Sequence, residues 1–125
     1  MAAKNPYAQY ANNKINTVSK EELTLMLYEG ALKFVNQAII AIEGKDFAKA
    51  HDLIMRVEDI IREFQITLNF DYEISGYMNT MYEYMFQLLV DANFNKDPSL
   101  LDEVRGYLRE FRDSWKEAMK LAKNA

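Results

Sequence analysis

The chain has no cysteine, one histidine, one tryptophan, two prolines and four glycines in 125 residues. Without cysteine there is no disulfide and no thiolate metal site, which suits the cytoplasm. The single histidine, His51, leaves few groups able to exchange a proton near neutral pH. Bundles that house two irons use Glu-x-x-His pairs. The residue three before His51 is Ala48, and no Glu-x-x-His occurs. No glycine-rich phosphate loop and no serine nucleophile elbow is present. Glu58-Asp59 and Asp102-Glu103 are sequential, so on helices they point in different directions and read as solvated faces. The expectation is a protein with no catalytic centre, no metal and no cofactor. An excess of positive charge is also missing: 15 Lys+Arg stand against 19 Asp+Glu, for a net charge of -4. Phosphate backbones need concentrated positive charge, so nucleic acid is not an expected partner. The N-terminus shows no basic segment followed by an apolar stretch, so no signal peptide is expected. No uninterrupted apolar run approaches the roughly 20 residues that span a bilayer.

What is present is apolar and periodic. Hydrophobic residues make up 50% of the chain, enough for one domain with its own core. The first 18 residues differ from the rest: polar, Asn-rich, broken by Pro6, with Tyr7 and Tyr10 the prominent apolar groups. They read as an N-terminal arm or short extra helix. The two tyrosines, three apart, would share one face and could dock the arm.

Ser19 with Glu22 forms a capping box, and the pattern predicts a helix over about Lys20 to Glu43, with Gly44 as its C-terminal stop. Two apolar stripes run along it, one of them through Leu25, Tyr28, Leu32, Val35, Ile39 and Ile42. So wide an apolar arc implies a central position or a covering partner. Asp46 caps a second helix to about Leu68, whose seam is Phe47, Ala50, Ile54, Val57, Ile61, Phe64 and Leu68. A third helix is predicted over about Glu73 to Asn93, with a seam of Ile74, Met78, Met81, Met85, Leu88 and Ala92. Asp97-Pro98 is a cap followed by a first-turn proline. It opens a fourth helix with Leu101, Val104, Leu108, Phe111, Trp115, Ala118 and Ala122 inward. Heptad seams joined by short turns predict an all-α fold, an antiparallel four-helix bundle over 19–125 preceded by the arm of residues 1–18.

The bundle carries more aromatic and Met side chains than its seams require: 8 Tyr and 7 Met. Met suits surfaces that accept varied apolar partners, and Tyr joins an apolar body to a polar tip. Met78, Met81 and Met85 read as core. Tyr28, Tyr77 and Tyr84 lie off the main seams and read as a surface for a partner or for self-association.

The stretches Asn5-Pro6-Tyr7 with Tyr10, SKEELTLMLYEGALKF (19–34), KDFAKAHDLI (45–54), YEIS (72–75), MYEYMFQLLVDAN (81–93) and LDEVRGYLREFRDSWKEAM (101–119), in this order and spacing, resemble the flagellin-specific export chaperones of the FliS family. The resemblance covers nearly the whole chain. It implies a cytoplasmic chaperone of bacterial flagellar assembly, with a helical-bundle fold. Such a chaperone binds the C-terminal segment of flagellin, disordered when free, prevents premature polymerisation and assists delivery to the flagellar type III export gate. The tail would wrap the bundle, partly as helices in apolar grooves. The expected partner-binding residues are Tyr7, Tyr10, Leu25, Tyr28, Leu32, Tyr72, Tyr77, Tyr84 and Tyr107, in a monomer or weak dimer. Many relatives carry an Arg pair after the Tyr-x-Tyr of the third helix, where this chain has Phe86-Gln87. The alternative is a structural or regulatory bundle that self-associates through the same surface.

Overall fold

A computed structural model describes residues 18–124. Among them lie four helices and no strand: α1 Lys20–Glu43, α2 Phe47–Thr67, α3 Ile74–Asn95 and α4 Pro98–Asn124. Each helix packs on its two neighbours in a closed ring, α1 against α2 and α4, and α3 against α2 and α4. Cross-helix contacts run in opposite senses. Glu21, Glu29 and Asn36 of α1 meet Trp115, Arg112 and Arg105 of α4. His51, Arg62 and Gln65 of α2 meet Asn93, Glu83 and Asn79 of α3. The fold is the antiparallel four-helix bundle that the seams predict. The arm, with Tyr7 and Tyr10, lies outside the described residues.

The helix ends follow local chemistry. Ser19 Oγ accepts from the Glu22 amide at 3.1 Å, and the Glu22 carboxylate accepts from the Ser19 amide at 2.9 Å. Asp46 accepts from the Lys49 amide. The α1 terminus departs from the expectation at Gly44, whose φ is -86. The left-handed residue is Lys45, at φ 61. The Asp46 amide then donates to Ala41 O at 2.8 Å and that of Lys45 to Ile42 O at 2.9 Å, which satisfies carbonyls the helix leaves open. Lys96 does the same at the end of α3, at φ 51.

The core runs through Val35, Ile54, Val57, Ile61, Met85, Leu89, Leu101, Val104 and Leu108, all essentially without solvent contact. The α3 seam is turned from the predicted one. Ser75, Tyr82 and Leu89 occupy the inward line with Met85 and Ala92, while Ile74 is exposed and Met81 only half-buried. Two polar groups were hard to place inward from sequence. The Ser75 hydroxyl donates to Asn69 O at 2.6 Å, and the Tyr82 hydroxyl meets that of Tyr28. On α4 burial ends early: Phe111 and Trp115 are partly covered, and Ala118 and Ala122 are exposed. By length and composition α1 could cross a membrane. Glu29 and Lys33 interrupt its apolar run, and in the bundle α2 and α4 cover its buried residues.

Candidate functional site

An aromatic layer crosses the bundle and contains one of the residues expected on a partner surface. Tyr28 of α1 stacks on Phe64 of α2 with ring centroids 4.4 Å apart, and Phe64 stacks on Tyr82 of α3 at 5.4 Å. Tyr82 meets the edge of Phe111 of α4 at 5.4 Å. Tyr28 is 3% exposed and Leu32 6%. Both therefore belong to the core, which corrects their assignment to the partner surface. Burial raises both phenol pKa values, that of Tyr82 also through the neighbouring Tyr28.

Tyr84 of α3 and Tyr107 of α4 meet outside the core. Tyr77 and Tyr84, one heptad apart on α3, are both exposed. The Tyr84 hydroxyl donates to the Glu103 carboxylate at 2.8 Å, and the Tyr107 hydroxyl to the same oxygen at 3.0 Å. Their rings meet edge-on at 5.9 Å. Glu103 thus holds two amphipathic rings side by side, and hydrogen bonding to the carboxylate pushes both phenols up. Tyr72, in the turn before α3, is exposed, as are Ile66, Phe70 and Ile74 near the same end of the bundle. From the sequence Glu103, paired with Asp102, reads only as part of a solvated face. Its place seven residues before Glu110 on α4 gave no signal that two rings from two helices converge on it.

Leu25 lies elsewhere, in a groove of about 720 Å³ between the start of α1 and the end of α4. Glu21 and Glu22 line one wall, and Lys116, Lys120 and Lys123 the other, with Leu25 and Met119 as apolar residues. The groove is open because α4 runs beyond its core contacts there. The tyrosine contacts therefore lie where the first half of α4, at Glu103 and Tyr107, meets α3, and the Leu25 groove where its last turns, from Lys116 to Lys123, meet the start of α1. Among the described residues no group of three or more acidic, His or Cys side chains is placed to hold a metal ion. Arg62 of α2 sits over the Phe86 ring of α3 at 3.5 Å.

Known proteins resemble the chain over nearly its whole length. The family model described as "Flagellar protein FliS" matches residues 3–122. The "Flagellar secretion chaperone FliS" of Bacillus subtilis (strain 168) is 45% identical over 119 residues, 95% of this chain and 90% of that protein. The "Flagellar secretion chaperone FliSB" of Pseudomonas aeruginosa is 31% identical over 118 residues, 92% and 94% of the two chains. The counterpart in Campylobacter jejuni is 29% identical over 113 residues, 89% and 88%. With the match running almost end to end and the bundle in place, the chain belongs to the FliS family of flagellar proteins.

Proposed function

We propose that this protein is a cytoplasmic flagellar secretion chaperone whose client is the C-terminal segment of flagellin. The observation that carries the reading is the open apolar surface on both flanks of α4: Tyr77, Tyr84 and Tyr107 on one side, Leu25 and Met119 on the other. The names of the relatives support it. A disordered tail folds onto such a surface as amphipathic helices, burying its apolar stripe. Tyrosine suits this work because its ring buries area while its hydroxyl stays solvated. Covering that stripe removes the surface through which the tail would assemble, which prevents premature polymerisation. The complex then passes to the flagellar type III export gate. No bond is made or broken, and no nucleotide is consumed.

Residues 1–18 immediately precede Ser19, which lines the Leu25 groove. In this reading Tyr7 and Tyr10 compete with the tail for the groove, lowering apparent affinity by the fraction of molecules left closed. Replacing both with Ala should tighten tail binding; a clear loss of affinity would instead make them direct contacts.

Light scattering with and without flagellin tests the assignment against a self-associating bundle. A one-to-one complex from a monomer or weak dimer is expected. A stable homodimer indifferent to flagellin favours the structural reading.

A further inference from the structure

A second groove, of about 460 Å³, lies between α2 and α3 near the end of the bundle opposite the Leu25 groove. Its apolar lining is Met55, Val90 and Phe94, all exposed, Phe94 by 86%. Its acid is unusual. Glu58 lines the groove yet is only 8% exposed, and it has no hydrogen bond or ion pair among the described residues.

The nearby cations are engaged elsewhere. Arg62, one turn along α2, bonds Gln65 and Glu83 and covers the Phe86 ring. Lys96 donates to Asn93 Oδ1 at 2.5 Å, and Asn93 Nδ2 meets His51 Nδ1 at 2.8 Å. Burial and the adjacent Asp59 push the Glu58 carboxyl upward, and the charges of His51 and Arg62, neither bonded to it, offset only part of this. A buried carboxylate without a partner is costly, and a cation brought by a ligand removes that cost.

We infer that the α2–α3 groove docks an amphipathic helix of a second protein, other than the client. Its apolar residues cover Met55, Val90 and Phe94, and its lysine or arginine pairs with Glu58. Charge complementarity chooses the occupant: an apolar segment without a cation leaves Glu58 buried and unpaired, and an acidic one repels it. The inference goes beyond the client reading and does not depend on it.

The probe is a synthetic amphipathic peptide of about four turns, leucine on one face with one central lysine, and a twin with glutamine in place of that lysine. Binding to the full chain is followed by the methyl resonances of Met55 and Val90. The lysine peptide should shift them saturably and bind roughly tenfold tighter than its twin, a difference of about 1.4 kcal/mol. Glu58→Gln should erase that preference. Phe94→Ser, at an exposed site, should weaken both peptides while leaving the thermal midpoint unchanged. Equal affinity of the twins, or a preference surviving Glu58→Gln, overturns the inference. So does displacement of the probe by flagellin C-terminal peptide, which would make the groove part of the client surface. Concentration-dependent shifts without peptide, lost in Phe94→Ser, would mean that a second copy is the occupant and would overturn it as well.

Discussion

The hydroxyls of Tyr28 and Tyr82 lie 2.6 Å apart inside the bundle, 54 residues apart in sequence, on helices that face each other across the ring. Each phenol is the other's hydrogen-bond partner, so two polar atoms enter the core and both are satisfied. Around them Phe64 and Phe111 complete a layer with one ring from every helix.

Removing one hydroxyl leaves the other buried and unpaired. Tyr28→Phe and Tyr82→Phe should each cost about 1–3 kcal/mol. The double variant should cost less than the two added, because it leaves no orphan. Urea midpoints of the four proteins check the cycle; strict additivity would mean that the hydroxyls do not support each other.

Glu58 should make stability fall with rising pH. Its folded pKa is raised, chiefly by burial, so the folded state holds the proton more tightly than the unfolded chain. Its favourable contribution is full below the ordinary carboxylate range and is lost as pH rises through the raised value. Glu58→Gln should therefore raise the urea midpoint at pH 7, with the gain shrinking below about pH 4, where the acid is protonated in both states. A gain that persists at low pH would point to another cause.

Lys45 holds a left-handed backbone without being glycine. Lys45→Gly should stabilise the protein by about 1 kcal/mol, the order of the Cβ penalty in that region. Thermal unfolding reads it. A lower midpoint would show that chain entropy outweighs the relief.

Trp115 ties the end of α4 to the start of α1, its indole N–H donating to Glu21 O at 2.9 Å. Because the ring is only half-covered, Trp115→Ala should cost about 2 kcal/mol, below the roughly 3–5 of a fully enclosed aromatic. Denaturant unfolding at equal m-value tests it.

Much of the fold was legible because it rests on local signals. The capping box at Ser19, the cap at Asp46 and the Asp97-Pro98 start are short-range devices, and the α2 seam from Ala50 to Phe64 is apolar at heptad spacing. Most of the misplacements share one physical origin. Tyr28, Tyr82, Ser75 and Glu58 are polar groups that sequence reasoning keeps outside, and the partners that bring the first three inward lie on other elements or in a turn. At the candidate site, Tyr77 and Tyr84 were visible as off-seam residues. That Glu103 joins Tyr84 to Tyr107 depends on how α3 meets α4, and no sequence period encodes that distance. Leu32 was placed outward because α1 is apolar over too wide an arc for its pattern to choose a face.

The central claim is that the flanks of α4 fold and hold the flagellin tail. Calorimetric titration of a flagellin C-terminal peptide, with circular dichroism of the mixture, tests it most directly. One peptide per chain should bind, and the mixture should show more helix than the sum of its parts. Tyr77→Ser with Tyr84→Ser should weaken binding at least tenfold, about 1.4 kcal/mol, with the bundle still folded. No heat and a strictly additive spectrum would contradict the account.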